Sequence, residues 1–345
     1  MIELYNLTRS QLSQQLAAWD VAEVHARRVW RYLHRDLVGN IAEMRELPAK
    51  VLAHLNADTS LTTLVAARET AADDGATRKY LLRLRDGEQI ETVQMLYARG
   101  LAIRATACLS SQVGCALGCT FCATGQLGFT RDLTAAEIVA QAVFVARSLR
   151  LNNHRLSNLV LMGMGEPLLN YDPLLTALEI LHDPGGLALG AKQITISTVG
   201  VIPGIVRLAD EGRKYSLAVS LHAATQQERF AIIPAARPWP LAELMDACRY
   251  YTEKLQQKIF FEWTLIAGEN DSPAQAHALA NLLRDIPAQV NLIPLNPTAG
   301  FAGVPGLRDA AQRFQAELQT RNIPCSIRQR RGIDIAAGCG QLAGV

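Results

Sequence analysis

Cys115, Cys119 and Cys122 lie within eight residues of one another, separated by three and then two residues in a loop that also carries Gly114 and Gly118. Thiols this close in sequence converge on one centre without help from distant segments, so this loop folds around a ligand set and the rest of the chain must frame it. Tetrahedral zinc and ordinary iron–sulfur clusters usually take four protein ligands. This loop supplies three, and the next cysteine upstream, Cys108, is seven residues away. One solution is a Cys3His zinc site with His154 or His182 recruited by the fold. Another is a cubane held by three thiolates, whose fourth iron stays open to chelate a small molecule. Three cysteines in eight residues are too dense for core packing alone, and no second C-x2-C pair or H-x3-H run completes a zinc finger.

A chain of 345 residues exceeds a single small domain, and 49% hydrophobic residues support a sizeable core. With a formal net charge of +2, a nucleic-acid partner cannot be argued from global charge, and any basic footprint has to be local. Seven cysteines, an odd number gathered toward the loop, indicate a reducing compartment rather than a disulfide scaffold. The first residues carry no basic region followed by an apolar run, and no stretch reaches membrane-spanning length, so a cytoplasmic protein with no membrane partner is expected.

Taken in order, residues 1–61 show helical periodicity. Thr8 can cap a helix from Ser10 to Trp19, and Leu47 to Leu55 forms another with Pro48 in its first turn. Between them, Val24 to Leu37 sets Val29, Trp30, Tyr32 and Leu33 against a face of Arg27, Arg28, Arg31, His34 and Arg35. That face is either ordinary solvated surface or a set of phosphate contacts, which makes this segment a candidate RNA-binding accessory domain. Residues 62–100 change to β-rich runs, Leu61 to Arg68, Thr77 to Arg85 and Gln89 to Tyr97, with turn chemistry at Asp74-Gly75 and Asp86-Gly87. A boundary is expected near Tyr97 to Leu101, and Ala102 to Leu109 delivers the chain into the cysteine loop.

From there, over residues 101–345, strands and helices alternate. Thr134 and Glu137 form a capping box for a helix to Leu149. Short strands end at Met162, Ser197, Ser220, Ile266 and Ile293, and helices follow them. This alternation predicts an α/β fold with a parallel sheet curved into a partial or complete (β/α) barrel, preceded by the helical domain and the small β extension. Function in such barrels sits at the C-terminal ends of strands. Gly165 and Glu166 in GMGEP, Ser197, Ser220-Leu221-His222 and Asn296 all fall there. Each is equally readable as a turn or cap residue.

The run CLSSQVGCALGCTFCATGQLGFTR, then GMGEPLLN, STVGVIP, SLHA, VNLIPLNP and RRGIDIAAGCGQL, in that order over nearly the whole chain, resembles the RlmN and Cfr family of radical S-adenosylmethionine (SAM) RNA methyltransferases, most closely the RlmN branch. The resemblance implies a radical SAM barrel with a [4Fe–4S] cluster on Cys115, Cys119 and Cys122, and two SAM molecules per turnover. It implies that Gly165, Glu166, Ser197, Ser220, Leu221, His222 and Asn296 bind SAM. The reaction is methylation of an adenine carbon, C2 for the RlmN branch and C8 for the resistance branch, in large-subunit ribosomal RNA and also in tRNA. It further implies an electron donor such as flavodoxin or ferredoxin.

Adenine C2 is a poor nucleophile, so a radical route is needed. In the family, the position of Cys339 takes a methyl group from one SAM, and a radical made from a second SAM removes a hydrogen atom from that methyl before it adds to the ring. Cys108 matches the thiol that releases the product through a transient disulfide with Cys339, and Glu91 matches the carboxylate that removes the ring proton. The stretch from Ile232 to Pro240 and the small-residue segment Leu295 to Leu307 depart from the family pattern and are expected to border the RNA. Cys248 and Cys325 match no motif and are assigned to the core.

Overall fold

The computed structural model describes residues 1–100 and 102–344. Leu101, at the end of the expected domain boundary, lies outside the described residues. The chain opens with β1 (Ile2–Glu3) and α1 (Arg9–Ala17). Thr8 and Gln11 exchange side chain to backbone bonds at the start of α1, so two of its otherwise unpaired N–H groups are satisfied. Helix α2 (Glu23–Arg31) runs on as a π turn, Tyr32–Asp36. Its apolar stripe buries Val29, Trp30 and Leu33. After α3 (Ala49–Asp58), β2 (Thr59–Ser60) pairs in parallel with β1.

The helical segment is fastened to the rest of the molecule at specific points. Trp30 Nε1 donates to Asp183 Oδ1 at 3.1 Å. Arg147 donates to the carbonyls of Leu37 and Val38, and Arg150 to those of Arg35 and Asp36, which satisfies acceptors left over where the π turn ends.

The basic face of α2 differs from its expected form. His34 belongs to the core, with its ring centroid 4.1 Å from that of Trp30, and burial pushes its pKa down to about 3. It therefore offers no positive charge to a phosphate. Arg27 pairs with Glu23, and Arg31 pairs with Asp36 and Glu46. Part of the charge on this face is thus compensated locally.

One ten-stranded sheet organises the remainder. β3 (Val65–Ala71), β4 (Thr77–Arg83) and β5 (Gln89–Arg99) form an antiparallel meander that pairs through β5 with β6 (Ala102–Cys108). Past the cysteine loop, which holds the ribbon β7 (Gln112–Gly114) and β8 (Phe129–Asp132) around α4 (Ala123–Leu127), the chain alternates. In order come α5 (Ala135–Leu151), β9 (Leu156–Leu161), α6 (Tyr171–His182), β10 (Ile194–Thr198), α7 (Ile202–Asp210), β11 (Ser216–Ser220), α8 (Gln226–Ile232) and α9 (Leu241–Leu255). They are followed by β12 (Ile259–Leu265), α10 (Pro273–Leu282), β13 (Ala288–Pro294), α11 (Arg308–Gln319) and β14 (Cys325–Ile327).

Strands β6 and β9 to β14 are parallel neighbours in sequence order. Cys108 of β6 and Ser326 of β14, at opposite ends of that parallel run, line a single cavity, so the sheet is strongly curled into an open barrel. Alternation along each strand divides the side chains. Ile194, Ile196, Leu217, Val219, Phe261, Trp263, Val290 and Leu292 are buried in the core, where Trp263 meets Phe314 of α11. Their alternates Thr195, Ser197, Ser220, Glu262, Thr264 and Asn291 face the lumen. Cys248 lies in this core as expected, whereas Cys325 is only half-buried.

Candidate active site

The cysteine loop is held at a fixed height over the strand ends. Cys115 N donates to Gly128 O at 2.7 Å, and Gly114 (φ +74°) crosses so close beneath it that a Cβ would stand 2.0 Å from that same oxygen. Only glycine fits this crossing. From below, the start of the Ile232–Pro240 stretch packs against the loop: Ile232, Ile233 and Ala236 are buried there, and Thr120 N donates to Ile232 O at 3.0 Å. This apolar part supports the cysteine loop.

Cys115, Cys119 and Cys122 line one cavity, whose wall also includes Gly165, Glu166, Ser197, Ser220, His222 and Asn296. Burial pushes the Cys115 thiol up to about 12 and that of Cys119 well above its ordinary range, and each of the two is raised further by neighbouring thiols of the trio. Such thiols ionise readily only against positive charge, which a bound metal centre supplies. Among the described residues no three His, Cys, Asp or Glu side chains are grouped closely enough to hold a single metal ion. The histidines considered for a zinc site are engaged elsewhere: the His182 ring is bonded to Leu189 O at 2.6 Å, and His154 lines a separate cavity with Arg150 and Arg155. Three soft thiols around an open chamber suit a cluster with one uncommitted iron.

Other wall residues are set by local constraints. Gly165 (φ +102°) leaves a Cβ only 2.6 Å from Gln112 Cβ, so its backbone lies directly on the loop ribbon. Glu166 is buried with Oε1 accepting from Leu168 N and Oε2 from Val199 N, and burial lifts its pKa to about 7. His222 accepts from Thr264 N through Nδ1 at 3.0 Å, which leaves the proton of the neutral ring on Nε2. Burial, helped by Arg229, pushes its pKa down to about 3.

Leu221 is fully buried, donates its N–H to Glu262 O and does not line the chamber. Arg229 was not singled out by the sequence. It is fully buried on α8, donates to Val199 O, and lies near enough to Cys119 to favour its thiolate. No local pattern marks an arginine on a seven-residue helix as interior.

A second cavity adjoins the first. Cys108, at the end of β6, opens into it, and Cys339 lines both. Cys339 is an exposed residue that lines both chambers, and the protein packed around its thiol raises its pKa by desolvation. The Cys108 pKa is pushed up to about 12, chiefly by burial and then by Cys339. Both are free thiols.

The segment around Cys339 is pinned to the cysteine loop. Ala123 N donates to Gly340 O at 2.7 Å and Thr124 Oγ1 to Leu342 O at 2.6 Å. Asn296 Nδ2 donates to Cys339 O at 3.0 Å, so this residue of the chamber wall also holds Cys339. Glu91 is fully buried. It lines neither chamber: Oε2 accepts from Ala343 N and Gly344 N, and Lys79 Nζ stands 2.8 Å from Oε1. The mouth of the second cavity carries Arg104, Arg328, Arg330 and Arg331, and the guanidinium groups of Arg104 and Arg331 lie 4.4 and 4.5 Å from the Tyr97 ring centre.

Comparison with known proteins agrees with this geometry. The family model described as the radical SAM superfamily matches residues 109–280, a range that begins at the cysteine loop. A crystal structure of a radical SAM methyltransferase from Sphaerobacter thermophilus superposes with a TM-score of 0.95 at 44% identity, covering 100% of both chains. The fold and the cysteine chamber are those of a radical SAM enzyme. The "Dual-specificity RNA methyltransferase RlmN 1" of Myxococcus xanthus is 52% identical over 98% of this chain and 93% of its own length. The "Probable dual-specificity RNA methyltransferase RlmN 2" of Opitutus terrae is 56% identical over 99% of this chain and 86% of its own length. The chain belongs to the RlmN family of radical SAM methyltransferases, which work with a [4Fe–4S] cluster and consume two SAM molecules per turnover.

Proposed function

We propose that the protein methylates C2 of an adenosine in RNA, in large-subunit ribosomal RNA and in tRNA, with Cys339 as methyl carrier. The observation that carries this reading is the position of Cys339 in the shared wall of two chambers, one with the three loop cysteines and one with Cys108. A thiol so placed can take a methyl group on one side and present it to a base on the other.

Cys115, Cys119 and Cys122 would hold the cluster, and SAM would lie against Gly165, Glu166, Ser197, Ser220 and His222. Bound together, cluster and SAM supply a carbon-centred radical strong enough to take a hydrogen atom from an S-methyl group. The chain's own residues do the rest. The Cys339 thiol would lose its proton to water, and its thiolate would take the methyl group of a first SAM, which leaves as S-adenosylhomocysteine. Asn296 holds the backbone carbonyl of Cys339, so the sulfur keeps its place between the chambers. The buried walls exclude water from a reactive carbon.

After the methyl carbon has joined the ring, the radical adduct would return one electron to the centre held by the loop cysteines, and the ring proton would pass to Glu91, directly or through a relay, since Glu91 stands behind Ala343 and Gly344. The Cys108 thiolate then attacks the Cys339 sulfur: the S–S bond forms as the S–CH2 bond breaks, the electron pair stays on the carbon conjugated with the ring, and that carbon takes a proton to give the methylated base. RNA phosphates meet the arginines at the mouth of the second chamber. An electron donor such as flavodoxin or ferredoxin supplies the reducing electrons, and the compartment is the cytoplasm. Among the described residues no helix is long and apolar enough to cross a membrane.

Anaerobic reconstitution with iron and sulfide tests the reading. The parent protein should turn brown, change spectrum on adding SAM, and yield 2-methyladenosine in RNA by nucleoside mass spectrometry. Ala at Cys115, Cys119 or Cys122 should remove the colour and SAM cleavage together. A colourless zinc protein indifferent to SAM would refute it.

A further inference from the structure

Glu262 faces the lumen from the middle of β12 and lines both chambers, as Cys339 does. The carboxylate is almost completely buried. Its Oε1 accepts from Asn291 Nδ2 at 2.9 Å, and Arg328 Nη2 stands 3.7 Å from the same oxygen. Asn291 is fixed in turn, because Ser326 Oγ donates to its Oδ1 at 2.7 Å. Both of these contacts fall on Oε1. Burial raises the pKa of this carboxyl, while Arg328 and Asn291 oppose the rise. The carboxylate is also close enough to Cys339 to act on its thiol.

A carboxylate has more lone pairs than these contacts use, so one that lines the chamber can accept a ligand N–H. The chamber of Cys108 and Cys339 is where the reading above puts the base, and the inference rests on that reading. On adenine, C2, N1 and the exocyclic amino group follow one another along a single edge. A carboxylate and a thiol on one wall therefore match the two ends of that edge.

We propose that Glu262 accepts a hydrogen bond from the exocyclic amino group of the target adenine and so brings C2 to Cys339. Asn291 and Arg328 orient the carboxylate. A base with a carbonyl at that position, as in guanine or hypoxanthine, would set oxygen against oxygen and be rejected. Recognition is thus built into the barrel wall, and Arg328 links it to the arginines at the mouth.

The test uses the reconstituted full chain and the RNA fragment that it methylates, made with adenosine or with purine riboside, which lacks the amino group, at the target. The parent protein should lose roughly ten- to hundredfold in kcat/KM on the purine fragment, the range for a buried hydrogen bond to a charged group. Glu262→Ala should lose a similar factor with adenosine and then hardly distinguish the two fragments, because both changes delete the same contact. Glu262→Gln, which keeps an acceptor, should fall between them and serves as the folding control by its melting temperature. Equal rates on both fragments for the parent, or undiminished discrimination by Glu262→Ala, would overturn the proposal. So would loss of the methyl on Cys339 in Glu262→Ala, read by intact mass, since the carboxylate would then act on the cofactor. Absence of that methyl in the parent would overturn the methyl-carrier reading first, and this proposal with it.

Discussion

The side-chain amide of Asn296 donates to the backbone carbonyl of Cys339 at 3.0 Å, tying the end of β13 to a segment 43 residues further along the chain. Gly338 sits tightly against the same amide, where a Cβ would come within 2.6 Å of Nδ2. The Cys339 turn is therefore fitted around Asn296. Asn296→Ala should leave Cys339 O without its donor, at a local cost of about 1–3 kcal/mol. The expected outcome is methyl loading of Cys339 slowed roughly tenfold or more, with SAM affinity little changed, read by intact mass and by equilibrium binding. A large rise in the SAM dissociation constant with normal loading would instead assign Asn296 to the nucleoside.

The N-terminal helices lean on one indole. Trp30 is buried and bonded to Asp183, so Trp30→Ala removes both packing and a hydrogen bond. Urea unfolding should show a loss of about 3–5 kcal/mol for Trp30→Ala. For Trp30→Phe, which keeps most of the packing, the loss should be about 1 kcal/mol. Equal, small losses would mean that the helical segment contributes little to the cooperative unit.

His34 makes stability depend on pH. The folded side chain stays neutral down to about pH 3, whereas an unfolded histidine takes a proton near pH 6.5. Between those values the unfolded state binds the extra proton, so stability falls as pH drops through that window, by at most about 1.4 kcal/mol per unit. His34→Phe should stay close in stability at pH 8 and lose less than the parent between pH 6.5 and 5. Glu166, raised to about 7, has the opposite slope but is common to both proteins and cancels in the comparison. Parallel curves for the two proteins would contradict a neutral, buried His34.

The alternating elements were readable because each carries its own local signal. The capping pair Thr134 and Glu137 begins α5 where expected, and the strand β11 ends at Ser220 as the sequence predicts. Elements without a local signal were not read. The ribbon β7–β8 is three and four residues long and depends on Gly114 passing under Gly128. The segment from Arg328 to Gly344 has no periodicity at all. It is held by bonds to Ala123, Thr124 and Glu91, more than 200 residues away. His34 was misplaced for a related reason: a basic neighbourhood in sequence conceals a side chain that the π turn rotates into the core. The cluster thiols were legible because their spacing is the chemistry. The burial of Glu91, Glu262 and Arg229 was not, because it is created by the curl of the sheet and by the segments that cross its open side.

The account stands on different roles for two thiols that open into one chamber, Cys108 and Cys339. After expression with cellular RNA, intact-mass and gel analysis of Cys108→Ala should find protein joined covalently to RNA through Cys339, because methyl transfer to the base proceeds and only release is blocked. Cys339→Ala should keep the cluster and carry no RNA. Identical behaviour of the two variants, both free of RNA or both still methylating it, would contradict the account.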